Sequence, residues 1–94
     1  MPVFAVLYRY ADGSDALRDE HRPAHREFLF SLAEPVRLLA TGPFADGEPG
    51  ALIIVSGPDQ ATVESTFDAD PFAKAAAVAG RQIREWTQVG GPWA

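Results

Sequence analysis

Pro2-Val3-Phe4-Ala5-Val6-Leu7-Tyr8-Arg9-Tyr10 is the run whose reading decides the fold. Alternation puts Val3, Ala5 and Leu7 on one face and Phe4, Val6, Tyr8 and Tyr10 on the other. Both rows are apolar, so the run is a strand without a water-facing side. Ala11-Asp12-Gly13-Ser14-Asp15 then breaks the chain as a loop. Ala16 to Glu20 reads as a helical turn. A firmer helix is predicted from Pro23, a favourable first-turn residue, to Ala33, with Pro35 as its stop. Val36 to Phe44 and Ala51 to Ser56 are strands joined by the turn Asp46-Gly47-Glu48-Pro49-Gly50, hence a hairpin. A second helix is expected from Gly57-Pro58-Asp59 through Phe67, and a short third one from Pro71 through Val78. Gly80 to Val89 is the last strand, ended by Gly90-Gly91-Pro92.

The order strand, helix, strand, strand, helix, strand predicts an α+β fold: a ferredoxin-like βαββαβ antiparallel sheet with its helices on one face. Right-handed crossovers then fix which ends meet. Tyr8 to Tyr10, Arg22 to His25, Gly42-Pro43-Phe44 and Asp68 to Phe72 converge at one end of the sheet, which is where a site is expected. Helices on one face leave one apolar row of the first strand uncovered, and a large exposed apolar face is uncommon in a monomer. A homodimer through the helix-free sheet face is the simple remedy, closing a barrel-like core.

Composition narrows the function. A chain of 94 residues is expected to be one domain, residues 1–94. Its apolar fraction of 47% fits a globular fold. The formal net charge of -5 argues against nucleic acid, whose phosphates call for a basic face. No apolar run is long enough for a membrane span, and no signal peptide is evident, so a bacterial cytoplasmic setting is expected. With no cysteine there is no thiol nucleophile and no thiolate metal site.

Two short runs carry candidate chemistry: Arg22-Pro23-Ala24-His25 and Asp70-Pro71-Phe72. Phe28, Leu29, Leu32 and Ala33 follow His25 at helical spacing, so His25 lies on the core-facing stripe. Its plain reading is a buried histidine satisfied by a backbone carbonyl; a catalytic one needs an orienting partner, which Asp70 could supply. The plain reading of Asp70 is an N-cap for the third helix, and capping is compatible with a second role. His21 and His25 are spaced for a metal, but Pro23 sits between them and no third ligand is evident, so no metal and no cofactor are expected. Arg18, Arg22 and Arg26 recur every fourth residue. They read either as a solvated face paired with Asp15, Asp19 and Glu20, or with Arg22 holding an anionic group of a substrate. Trp86 and Trp93 read as packing or interface residues.

Phe4 to Tyr8, Arg22-Pro23-Ala24-His25, Leu39-Ala40-Thr41-Gly42-Pro43, Asp70-Pro71-Phe72-Ala73-Lys74-Ala75 and Ile83-Arg84-Glu85-Trp86 resemble, in order, the blocks of the YCII-related (YciI-like) domain family. The resemblance spans nearly the whole chain and implies a dimeric α/β-barrel type of ferredoxin-like fold. It implies a His/Asp acid-base pair in a cleft, here His25 and Asp70. It also implies relatives that act as small lyases or isomerases on cyclic or aromatic compounds. Two positions depart from the family pattern. Gly50-Ala51 stands where many members have Gly-Ser, and Ala76-Ala77 stands for a common Gly-Leu, which reads as a packing change.

The expectation is thus a small cofactor-independent enzyme. His25 and Asp70 would be its acid-base pair, with Arg22, Tyr8, Gly42, Pro43 and Phe72 around a small-molecule substrate. The rival is a non-catalytic ligand-binding or accessory module with the same cleft.

Overall fold

The computed structural model describes residues 1–92, so Trp93 lies outside the described residues. Its elements follow as β1 (Val3–Tyr10), α1 (Asp15–Phe30), β2 (Arg37–Pro43), β3 (Gly50–Ser56), α2 (Gln60–Phe67), α3 (Pro71–Lys74) and β4 (Val78–Trp86). One four-stranded sheet has the order β2-β3-β1-β4, antiparallel throughout. This is the ferredoxin-like α+β arrangement, with the helices on one side of the sheet.

The two rows of β1 divide as the alternation requires. Phe4, Val6 and Tyr8 are buried beneath the helices, while Val3, Ala5 and Leu7 are half-buried on the helix-free face. Val6 stands between Ile53 of β3 and Ile83 of β4, so an apolar row crosses the sheet. Leu29 of α1 and Val63 and Phe67 of α2 close over that row to form the core. Full burial of each such side chain stabilises the fold by roughly 1.5–3 kcal/mol. Gly50, at the start of β3, must be glycine, because a Cβ there would collide with the Tyr8 carbonyl oxygen.

The helices differ from expectation in three places. α1 is one helix from Asp15, not a turn followed by a helix from Pro23. The Arg18 N–H donates to the Ser14 carbonyl at 2.7 Å, and the Arg18 side chain reaches Ser14 Oγ and Asp15, which secures the early turns. Pro23 costs only the bond to the Asp19 carbonyl, and both residues are exposed, so water can take that place. The helix ends at Phe30 rather than Ala33, where a tighter Leu32-to-Leu29 bond closes the last turn.

α3 ends at Lys74 rather than Val78. Ala76 adopts φ 61°, the Ala76 N–H donates to Ala73 and the Ala77 N–H donates back to Phe72. That is a Schellman closure, which favours glycine at the residue Ala76 occupies. The departure at Ala76 is therefore a backbone matter rather than a packing change. Ala77 is then fully buried, and β4 begins at Val78 instead of Gly80 and stops at Trp86 instead of Val89. Trp86 is exposed, opposite Val3 in the helix-free row. Among the described residues, no helix is long and apolar enough to cross a membrane.

Candidate active site

Tyr8 near the end of β1, His25 in α1 and Asp70 before α3 come from distant parts of the chain and meet at one point. Asp70 has the extended backbone of an N-cap residue, φ -61° and ψ 127°, and Pro71 sets the first helical position after it. Its Oδ1 accepts the Phe72 N–H at 3.0 Å and lies 2.7 Å from His25 Nδ1. Its Oδ2 accepts the Tyr8 hydroxyl at 2.5 Å. The cap and the histidine contact thus fall on the same oxygen. Asp70 is 0% exposed and His25 7%.

This donor set fixes the imidazole. The Phe72 N–H can only donate, and an ionised carboxylate can only accept, so the surroundings of Asp70 suit an acceptor. His25 Nδ1 therefore carries the proton and donates it to Asp70, which leaves Nε2 with the lone pair. Among the described residues, no buried side-chain nitrogen or oxygen lacks a partner. Nε2 has no hydrogen-bond partner among the described residues, so it is open to solvent. The Phe72 ring lies flat on the imidazole, centroids 3.8 Å apart and planes within 3°, and holds its tilt.

Burial, then the Asp70 charge beside it, pushes the Tyr8 phenol far above its ordinary value of 10.0. Tyr8 thus remains a neutral donor to Asp70 at any working pH. Tyr10 is also raised by burial, against the opposing pull of the Arg18 and Arg22 guanidiniums. The Arg18 guanidinium sits 4.3 Å from the centre of the Tyr10 ring, and Phe72 meets that ring edge-on. The β1–β4 register shifts between Arg9 and Tyr10, an irregularity next to the site.

His25 lines a cleft of about 310 Å³ between α1 and the ends of β2 and β3. Arg22, Phe72, Gly42 and Pro43 line the same cleft. Gly42 pairs with Leu52 on the helix-free face, so only its backbone faces the cleft. Two expected residues sit elsewhere: Asp70 is behind His25, and Tyr8 is in the core with its hydroxyl on Asp70. Arg22 is bound to Asp19 at 2.5 Å and is still partly exposed. His21 lies 3.5 Å from Glu20, away from the cleft. Tyr10, from the run expected at this end of the sheet, lines the cleft too, as do Arg18 and Arg26, which the sequence does not place there. For the arginines the signal was their four-residue spacing. For the Tyr8–Asp70 bond it was the rule that a buried tyrosine hydroxyl needs a partner.

A larger depression, about 430 Å³, lies over Leu7, Arg9 and Gln82 on the helix-free side, away from the imidazole. His25 lines the smaller cleft and not this depression.

Residues 3–87 match the family model described as the YCII-related domain. No curated protein matches the sequence. The fold is similar to that of 5-chloro-2-hydroxyhydroquinone dehydrochlorinase (TftG) from Burkholderia phenoliruptrix AC1100, solved in complex with 2,5-dihydroxybenzoquinone. The TM-score is 0.79 at 22% identity, over 90% of this chain and 93% of that one.

Proposed function

The chain belongs to the YCII-related domain family, and from that premise we propose a cofactor-independent enzyme that moves a proton on a small cyclic or aromatic metabolite. One observation carries the reading: His25 Nδ1 is held 2.7 Å from a fully buried Asp70, which leaves Nε2 without a partner among the described residues, at the cleft. Nε2 takes a proton from an activated ring position, or His25 in its charged form returns one to a leaving group. Asp70 orients the ring and stabilises the imidazolium, and it does not touch the substrate. Arg22, Gly42, Pro43 and Phe72 shape the cleft around the ring. Tyr8 acts behind it, through Asp70. Lyase and isomerase chemistry both fit, since each begins with removal of a carbon-bound proton: a lyase then expels a leaving group with its bonding pair, and an isomerase returns the proton to another carbon. TftG, by its name, removes hydrogen chloride from a hydroxylated ring, and hydroxyquinones are accordingly the first substrates to try here.

The helix-free face is assigned to a second copy of the chain. Val3, Ala5, Leu7 and Leu52 present a half-buried apolar row there, and pairing two such sheets would place the cleft ends near the interface.

The test is hydrogen exchange. The protein is incubated in D2O with a panel of hydroxyquinones, chlorinated hydroxyquinones and cyclic enones, and deuterium entry at ring carbons is followed by NMR. Exchange above background is expected. His25→Ala should lower it by a factor of about 100 to 10,000 while the circular dichroism is unchanged. Exchange that survives His25→Ala, or no exchange on any ring, would reject the enzyme and favour a ligand-binding module.

A further inference from the structure

Arg18, Arg22 and Arg26 stand one helical turn apart, and all three line the cleft beside His25. With a rise of about 1.5 Å per residue, the ladder runs about 12 Å along the cleft wall. Among the described residues no aspartate or glutamate lines that cleft, although the chain as a whole carries a formal charge of -5. Its cationic lining is therefore a local choice against the background of the molecule.

The three guanidiniums are not equivalent. Arg18 binds Asp15 at 2.6 Å and Ser14 Oγ at 3.0 Å, and it covers the Tyr10 ring. Arg22 binds Asp19 at 2.5 Å. Arg26 is exposed and makes no ion pair or hydrogen bond among the described residues. It is the one cleft arginine whose charge and donors are uncommitted. Arg26 follows His25 directly in the chain, and the exposed Phe30 lies one helical turn beyond it on the same wall. Pro43 faces them from β2.

We infer that Arg26 is the specificity-determining anion anchor of this cleft, and that the ligand is a small ring bearing a planar oxyanion, held by Arg26 with the ring against Phe30 and Pro43 and within reach of His25. A planar oxyanion matches the guanidinium fork, which a neutral amide of the same shape cannot use as fully. The inference rests on the same cleft as the enzyme reading, and it concerns binding alone.

The experiment uses benzoate as the anionic ring and benzamide as its neutral isostere. Binding is read from the imidazole resonances of His25, which need separating only from those of His21, the other histidine. Benzoate should shift His25 saturably, and benzamide should bind at least about tenfold more weakly. Arg26→Gln should weaken benzoate by about tenfold or more and leave benzamide unchanged. Arg22→Gln, which removes a guanidinium already shared with Asp19, should cost less. Arg37→Gln, at the far end of β2 and paired with Glu34, should cost nothing. Equal binding of the two probes, no binding of benzoate, or an Arg26→Gln variant with unchanged affinity overturns the inference. Because no turnover is measured, anion-selective binding can stand even if the exchange experiment rejects the enzyme.

Discussion

Tyr8→Phe removes one oxygen from the molecule and tests the arrangement behind His25. In the wild type the Tyr8 hydroxyl donates to Asp70 Oδ2 at 2.5 Å, with Tyr8 2% exposed and Asp70 0%. The variant leaves that carboxylate oxygen without a donor, in a place water does not reach. Hydrogen bonds to charged groups contribute about 1.5–3 kcal/mol, and the phenylalanine recovers a part by not burying a hydroxyl, so the net loss should be about 2 kcal/mol. For a domain of this size that lowers Tm by roughly 8–16 °C. The pH dependence has a definite sign. Folding raises the Tyr8 pKa above its ordinary value of 10.0. The stabilisation from Tyr8 is therefore complete below pH 10 and declines above it, because only the unfolded chain can then ionise there. The gap between wild type and Tyr8→Phe should narrow above pH 10 by at most about 1.4 kcal/mol per pH unit. Tyr10 is present in both proteins and cancels. Urea unfolding at one fixed protein concentration, at pH 7 and again above pH 10, gives both numbers. A variant as stable as the wild type at pH 7, or a gap that stays constant in alkali, would refute the Tyr8–Asp70 bond as drawn.

Ala76→Gly should stabilise the protein by about 0.5–1 kcal/mol in the same urea assay, since it relieves a left-handed alanine while glycine gives back part through the freer unfolded chain. Ala76 is exposed, so no packing is lost; a destabilised variant would overturn the backbone reading of that position. Sedimentation at micromolar concentration should show a dimer of the 10.1 kDa chain, and Leu7→Glu should yield monomers by placing a charge in the helix-free row. A wild-type monomer would reject the paired-sheet assembly.

The strands were legible because β1 states its pattern on both faces. Phe4, Val6 and Tyr8 could only be buried together or exposed together, and the same held for Ile53 and Val55 in β3. Boundaries were less legible where a local signal competed with tertiary support. Pro23 reads as a helix start, yet contacts made earlier, by Arg18 to Ser14 and Asp15, carry the helix through it at the cost of one exposed bond. The error has a consequence for the site. His25 does not stand near the first turn of its helix, and it still reaches Asp70, because the added turns of α1 lie alongside α3, where Leu17 and His21 face Pro71 and Ala75 across a shallow groove.

The same reasoning explains which parts of the site a sequence can reveal. The meeting of β1, α1 and the segment before α3 follows from topology, and topology follows from the order of the elements, so the proximity of Tyr8, His25 and Asp70 could be inferred in advance. Which Asp70 oxygen serves which donor could not, because that depends on side-chain rotamers fixed only when Phe72 lies on the imidazole and Tyr8 packs beneath it. Once those are set, little freedom is left. Tyr8 donates to Oδ2 and the Phe72 N–H to Oδ1, Nδ1–H takes a second direction at Oδ1, and the lone pair of Nε2 must be on the other edge of the ring. The geometry around Asp70 is thus a by-product of core packing: one cap, one buried phenol and one stacked ring decide the tautomer of a histidine that borders the cleft. The arginines differ in kind. Their spacing is written in the sequence, but whether each is spent on a neighbouring carboxylate depends on where Asp15 and Asp19 fall on α1, and only Arg26 has no such neighbour to hold it.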